Sequence, residues 1–289
     1  MKKIDMTVVI LTKNEEANLT ECLESLKDKF QRIVVVDSFS KDATESIAQK
    51  YNVEFVQHAF INYGNQFQWA ITHLNISTKW IFRLDADERL TDESINEIAY
   101  LSEKHKNTNV NGIIFPLEVS FLGKKLRHGG TFPFKKLCIF KNGKGFMEER
   151  EMDEQIILKE GISIEMKNIS KHEDFKNLHF WIDKHNWYAS RAARDYIHIL
   201  NKSGKDEYAS LDKSAKIRRF LKYNIYYRLP SIVRTNSYFF YRYIIKLGFL
   251  DGYVGFLYAF FQAYWYRVLV YAKIYELKNQ KKNVRENGE

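Results

Sequence analysis

The first hundred residues alternate short apolar runs with stretches whose apolar positions recur at helical spacing. "MTVVIL" reads as a buried strand, and Leu19, Cys22, Leu23, Leu26 and Phe30 then follow one helical face. "RIVVVD" is a second strand ending at Asp37, and "SFSKDATESIAQKY" supplies Ser and Asp capping candidates for a short helix. "VEFVQH", a polar and aromatic segment to about Asn75, and "KWIFRLD" continue the series, and "TDESINEIAYLSEKH" is a well-capped helix. Strands alternating with helices predict a mostly parallel α/β sheet covered on both faces.

Beyond this, "GIIFPLEVSFLG" to "LCIFKNGKG" changes to hairpin-like strands with Gly and Lys turns. "EEREMDEQ" follows, and then an amphipathic helix from about Leu178 to Leu200. "NKSGKDE", polar with a central Gly, marks a boundary between residues 1–201 and a helical, aromatic region 202–289. No internal repeat and no low-complexity tract interrupts the pattern.

Composition narrows the class. The chain of 289 residues is 45% hydrophobic and 28% charged with three prolines, which is globular rather than disordered. Cys22 and Cys138 are too few and too far apart for a disulfide framework or a zinc site, so a reducing cytoplasm is expected. The basic start "MKKIDMTVVILTKNEE" has too short an apolar run for a signal peptide and reads as a first strand.

Charge divides the chain more sharply than hydropathy does. Residues 202–289 hold 17 Lys/Arg against 7 Asp/Glu, a net +10, whereas the first 201 hold 28 against 29, a net −1. The same region is aromatic, with 20 of the 44 Phe, Trp and Tyr residues lying between Phe220 and Tyr275. The longest charge-free run, Gly252 to Tyr266, is shorter than the roughly 20 residues that a spanning helix needs. Tyr and Trp suit the headgroup region and Lys/Arg attract anionic lipid, so in-plane helices on an anionic membrane surface are expected. A helical dimer interface, and hence a homo-oligomer, is the alternative. Nucleic acid is not expected as a partner, because the aromatics come with long aliphatic runs unlike a solvent-facing stacking groove.

Ligands of parallel α/β sheets bind at the carboxyl ends of strands. Lys13–Glu15, Asp37–Ser38 and Asp85–Asp87 all fall at such ends and are expected to converge on one crevice. In "WIFRLDADERL" three carboxylates, Asp85, Asp87 and Glu88, crowd into four residues, which costs stability unless positive charge sits among them. One reading is a solvated turn. The sharper one is a divalent cation, Mn2+ or Mg2+, held by Asp85 and Asp87 from one side of an extended backbone and shared with a diphosphate. Asp37 can accept hydrogen bonds from a base or ribose, while Asp42 reads as a helix cap. Thr12, Asn14 and Glu15 contact a nucleoside, or Glu15 and Glu16 simply favour a helix N-terminus.

"VVILTKNEEANLTECLESL", "IVVVDSFSKDAT" and "WIFRLDADERL", in this order and spacing, resemble the family 2 glycosyltransferases. The nearest subset builds bacterial lipopolysaccharide cores, capsules and exopolysaccharides. The likeness continues through "MDEQ", "KHNWYASRAAR" and "KLGFLDGYVGFLYAFFQAYWY" and so covers nearly the whole chain. It implies a GT-A fold and a nucleotide-sugar donor, UDP-linked in most relatives. Thr12, Glu15 and Asp37 match the nucleoside-binding positions, and Asp85 and Asp87 match the metal motif. Asn65, Gln66 and Gln68 stand where related enzymes carry a basic or amide residue near the donor; no Lys or Arg is present there, and Arg83 is placed to compensate. Asp153 or Glu154 matches the base that deprotonates the attacking hydroxyl in an inverting transfer.

"LRHGGTFPFKK" is expected to line the acceptor pocket, with Gly129 and Gly130 allowing close backbone approach and His128 as a hydrogen-bonding wall residue. His172, His179 and His185 lack metal-site spacing and are expected to satisfy local hydrogen bonds. The whole describes a metal-dependent, inverting glycosyltransferase, peripheral on the cytoplasmic face of the membrane, acting on a lipid-linked or polysaccharide-precursor acceptor. A sugar nucleotidylyltransferase would want a Gly-rich, basic loop after the first strand, and "LTKNEEANL" has no Gly. A membrane-binding scaffold with an inactive GT-A domain is the remaining alternative, against which the acidic residues at three strand ends argue.

Overall fold

The computed structural model describes residues 3–148, 154–201 and 229–286. Among these, two compact units fall within Met1–Arg127 with Thr131–Asn177, and within His128–Gly130 with Leu178–Glu289.

In the first unit the alternation of periods becomes β1 (Ile4–Thr12), α1 (Glu16–Leu26), β2 (Phe30–Asp37), α2 (Thr44–Lys50), β3 (Glu54–Gln57), α3 (Tyr63–His73) and β4 (Trp80–Asp85). β5 (Glu88–Arg89) and α4 (Asp92–Lys104) follow, then β6 (Val110–Phe121), β7 (Lys124–Lys125), β8 (Phe134–Lys141), β9 (Gly145–Met147), β10 (Ile156–Leu158), β11 (Ile162–Glu165) and β12 (Ser170–His172). The main sheet runs β3-β2-β1-β4-β8-β6-β12-β5, with β7 and β11 also paired to β6, while β9 and β10 form a separate ribbon. β3, β2, β1 and β4 are parallel to their neighbours, and β8 reverses the direction against β4. This is the expected GT-A class, an α/β sheet with its parallel strands gathered on one side.

The core explains the strands' composition. Val8, Val9, Ile10, Val34, Val35, Val36, Phe82 and Leu84 are all fully buried, as continuous apolar runs demand when both sheet faces are covered. Truncating such a side chain, as in Phe82→Ala, costs about 3–5 kcal/mol. α4 begins at Thr91, whose hydroxyl accepts from Ser94 N while the Ser94 hydroxyl accepts from Thr91 N, a reciprocal cap.

Two sequence segments take forms that the pattern left unassigned. The polar and aromatic stretch before Asn75 contains α3, capped by Asn62, which accepts from Asn65 N. Its buried face is Gly64, Gln66, Phe67 and Ala70, too narrow and polar to stand out by hydropathy. After residue 154 the chain returns three more short strands, β10 to β12, where no strand was read.

In the second unit α5 (Leu178–Asn201) is the expected long helix, although the proposed boundary near 201 had assigned it to the first domain. It packs with the C-terminal helices: Trp181 meets Phe261 and Trp265, and His185 meets Tyr266. The remaining elements are α6 (Ser231–Phe240), α7 (Gly252–Tyr258) and α8 (Tyr266–Glu286), with wider helical turns at Tyr241–Ile245 and Ala259–Trp265 and a tight turn at Gly248–Asp251. Among the described residues no single helix is long and apolar enough to cross a membrane; Ser231–Ile245 and Gly248–Gln280 together are, but they bend by 67°.

His128–Gly130, expected at an acceptor pocket, belongs to this helical unit. Gly129 N donates to Lys246 O at 2.7 Å, and His128 donates to Asp251 through its backbone N and pairs with it through Nδ1. Gly129 and Gly130 adopt φ of 68° and 71°, where a side chain is strained.

Candidate active site at the carboxyl ends of the parallel strands

Register alone brings the expected residues together. Thr12 lies opposite Asp37 across β1 and β2, and Leu11 lies opposite Asp85 across β1 and β4. The last residues of three adjacent parallel strands therefore form one row, the place where such sheets bind ligands.

At the β1–β2 end the polar groups interlock. Thr12 Oγ1 donates to Asp37 Oδ1 at 2.9 Å, and Ser40 donates to the same carboxylate through both its backbone N and Oγ. Lys13 Nζ bonds the carbonyls of Ser38 and Phe39. Asn14, in a left-handed conformation, accepts from Lys41 N and donates its own N to Ser40 Oγ. Asp42 was expected to cap α2, but Ala43 holds that position without a side-chain bond; Asp42 accepts from Thr44 N and Oγ1 one residue further out, and from Glu16 N at the start of α1.

Ser38 Oγ accepts from Gln66, which also bonds His58, so Gln66 is a fully buried brace between α3 and the β2 turn. Asn65 is exposed on the first turn of α3, and Gln68 accepts from Met147 N.

Glu15 is held from two directions. Lys176 Nζ lies 2.7 Å from Oε1, and Asn18 Nδ2 lies 2.9 Å from Oε2. Burial nevertheless raises the Glu15 carboxyl above its usual range, with Lys176 and Asn18 opposing the rise. Asn18 also bonds Asp174 and Phe175 N, tying the chain after β12 to the start of α1.

The acidic cluster at the end of β4 shows what offsets its charge. Asp85 does not share an extended backbone with Asp87, because the chain turns at Ala86–Asp87. Each carboxylate instead meets a cation, with Lys136 shared between Asp85 and Glu88. Lys136 Nζ, from β8, sits 2.7 Å from Asp85 Oδ2 and 2.5 Å from Glu88 Oε1. Arg83 Nε lies 3.9 Å from Asp85 Oδ1, and His172 Nε2 lies 3.3 Å from Asp87 Oδ2. Arg89 binds the carbonyls of Asp87 and Glu173 and stacks over Phe175 at 4.1 Å.

The titrations follow. Burial alone would raise the Asp85 carboxyl, but Lys136 and Arg83 outweigh it and hold it below its usual value. Glu88, completely buried, is pushed up by desolvation despite Lys136. Burial opposes charge on His172, yet Asp87 more than compensates and raises it to about 8. His172 was expected to make only local bonds; its antiparallel pairing with Glu88 across β12 and β5 places it beside the acidic cluster.

Asp153 lies outside the described residues. Glu154 closes on the start of α3: a Cβ at Gly64 would lie 3.3 Å from its Cγ and from the Glu148 carbonyl oxygen. The carboxylates of Asp85, Glu88 and Glu154 all favour the charged form of Arg83, Asp85 most strongly. Lys136, Lys176 and His172 are cationic partners of the site's carboxylates that the sequence pattern did not assign, Lys136 having been expected only in the acceptor-lining segment. A lysine between Phe134 and Leu137 reads as an ordinary strand residue, and only pairing of β8 with β4 reveals its target.

Comparison with known proteins adds the lineage. The profile described as Glycosyl transferase family 2 matches residues 7–154. An uncharacterised glycosyltransferase of Rickettsia typhi is 27% identical over 207 residues, covering 68% of this chain and 69% of that protein. The lipopolysaccharide core biosynthesis glycosyltransferase LpsC of Rhizobium meliloti is 37% identical over 101 residues, 33% of this chain and 36% of its own. Residues 1–349 of TarS from S. aureus superimpose with a TM-score of 0.45 at 14% identity, over 100% of this chain and 92% of that one.

Proposed function

Because this chain belongs to glycosyltransferase family 2, we propose that it transfers a sugar, with inversion, from a UDP-linked donor to a lipid-linked or polysaccharide-precursor hydroxyl in bacterial surface-glycan synthesis. The observation that carries this reading is the row Thr12, Asp37 and Asp85 at three adjacent strand ends, with Asp87 and His172 facing each other at 3.3 Å beside it.

The nucleoside lies against Thr12, Asn14, Glu15, Asp37 and Ser38. The diphosphate extends toward the acidic cluster, where Lys136 and Arg83 keep Asp85 ionised and fixed. Among the described residues no three His, Cys, Asp or Glu side chains group as a complete metal site. Asp87 and His172 nevertheless fit a divalent cation: a carboxylate and an imidazole both ligate Mn2+, with diphosphate oxygens and water completing the shell. Such an ion would be held mainly by Asp87 and His172, with Asp85 committed to Lys136, and His172 would release its Nε2 proton on binding it. When bound, the ion offsets the negative charge that gathers on the departing diphosphate.

Glu154, or Asp153 beside it, takes the proton of the acceptor hydroxyl. The hydroxyl oxygen bonds to the anomeric carbon as the bond to the diphosphate breaks and its electron pair leaves with the nucleotide. The helical unit, basic and aromatic, attaches the protein to the cytoplasmic face of the membrane, where a lipid-linked acceptor is confined.

Calorimetry with UDP, with and without Mn2+, tests the donor site. Wild type should bind UDP more tightly with Mn2+, and Asp87→Ala and His172→Ala should lose that difference. The absence of UDP binding under any condition would leave the inactive scaffold as the better reading.

A further inference from the structure

The second unit carries an apolar corner that its own fold leaves exposed. Between Tyr241 and Tyr253 the chain bends from one helical arm into the next, and Ile244, Ile245, Leu247, Phe249, Leu250 and Tyr253 are 40–74% exposed. Isolated exposed apolar residues are ordinary, but six within ten positions at one bend concentrate apolar surface in one place, as interaction sites do.

The corner is built and held. Leu247 sits at φ 59°, a left-handed conformation that costs a bulky residue energy, with its side chain nearly half exposed. Gly129 N binds the Lys246 carbonyl, Leu247 N binds the Ile244 carbonyl, and Leu250 N binds the Leu247 carbonyl. Gly248 and Gly255 permit the tight turn: a Cβ at Gly248 would stand 2.9 Å from Arg242 O, and one at Gly255 only 2.4 Å from Gly248 O.

Charge selects the partner. The acid of this stretch, Asp251, is 6% exposed and turned inward, accepting from His128 N and pairing with His128 Nδ1. Lys246 is exposed among the apolar side chains, and Arg242 lies half-buried with Tyr238 and Tyr258. The corner thus shows solvent an apolar surface with a cation and no acid. A second copy meeting it about a two-fold axis would set Lys246 in the same interface as its own counterpart, whereas anionic lipid accepts both the lysine and the apolar tips.

We propose that the Tyr241–Tyr253 corner is the element that inserts into the headgroup and upper acyl region of an anionic bilayer. The corner is the bend between two arms that reach the length and apolarity of a span only together and that meet at 67°. The assignment rests on the membrane reading given above and locates it in particular side chains.

Full-length protein is floated with vesicles of phosphatidylcholine, alone or mixed with phosphatidylglycerol. Ile245→Glu/Leu250→Glu should reduce binding to the mixed vesicles at least about tenfold. Lys246→Gln should reduce it about fivefold on mixed vesicles and leave it unchanged on neutral ones. UDP-dependent thermal stabilisation should persist in wild type and both variants, reporting an intact donor site. In Leu250→Trp, brominated lipid should quench the indole introduced at the corner. Wild-type flotation that is indifferent to these substitutions, or an indole in Leu250→Trp that brominated lipid leaves unquenched, overturns the corner assignment while leaving membrane binding standing. A wild type that never floats, and whose dimer the double variant dissociates, overturns both and makes the corner a contact between copies.

Discussion

The two units handle the same difficulty in opposite ways. In the sheet unit, charge goes inside: Glu88 is buried just past the end of β4, and the nearly buried Lys136 of β8 answers both Glu88 and the neighbouring Asp85. In the helical unit, apolar mass stays outside at the corner while Asp251 is drawn in. Buried charge is tolerated only when geometry is good and partners are complete, so it is placed where a strand register can hold it. Exposed apolar surface is tolerated when another medium receives it.

The largest expected effect falls on the paired charge nearest the chemistry. Asp87→Ala should lower kcat/KM for donor by about a thousandfold, and His172→Ala by roughly ten- to a hundredfold, in steady-state transfer assays. Activity of both variants near wild type would detach the acidic cluster from catalysis.

Next comes the pairing itself. Lys136→Met strands the buried Glu88 without its cation, leaving Asp85 only Arg83, and should cost about 3 kcal/mol in urea unfolding. Adding Glu88→Gln should return part of that loss. A stable single variant would show that the cluster is less isolated from water than its burial implies.

The helical unit offers a smaller test of how it treats polar groups. His185 is buried and donates from Nδ1 to the Trp181 carbonyl, and its Gln262 contact favours the charged form. Desolvation nonetheless prevails, helped by Lys184, and lowers it to about 4. A neutral native imidazole means that the unfolded chain binds the extra proton below its own value near 6.5. The His185 contribution to stability should therefore be constant above about pH 6.5 and fall by at most about 3 kcal/mol as pH drops to 4. His185→Gln should flatten that slope in pH-dependent melting.

Smallest is the helix cap three residues beyond Glu88: Thr91→Ala should cost about 1 kcal/mol with transfer unchanged, measured by the same unfolding assay. A larger loss would mean that α4 supports the acidic cluster more than its packing suggests.

Much of the sheet unit could be read from the chain directly. Val34–Val36 followed by Asp37, and Trp80–Leu84 followed by Asp85, are apolar runs that end in a carboxylate, and a parallel sheet leaves such ends at the ligand-binding edge. Gln66 was noticed at the right place but for the wrong contact, since it braces Ser38 and His58 from a buried position. α3 was missed because its buried face includes a glycine and a glutamine, which blunt the hydrophobic period.

The amino-acid order by itself determined the fold class, the strand-end acids and the basic, aromatic character of the last third, because each is a property of neighbouring residues. Only the tertiary structure decided which cations answer those acids. Lys136 and Asp85 are separated by 51 positions, and His172 and Asp87 by 85, and no local period records a pairing made by the register of distant strands. The inward turn of Asp251 toward His128, across 123 positions, is of the same kind: whether a charged residue faces water or a partner is settled by packing, not by its neighbours in the chain.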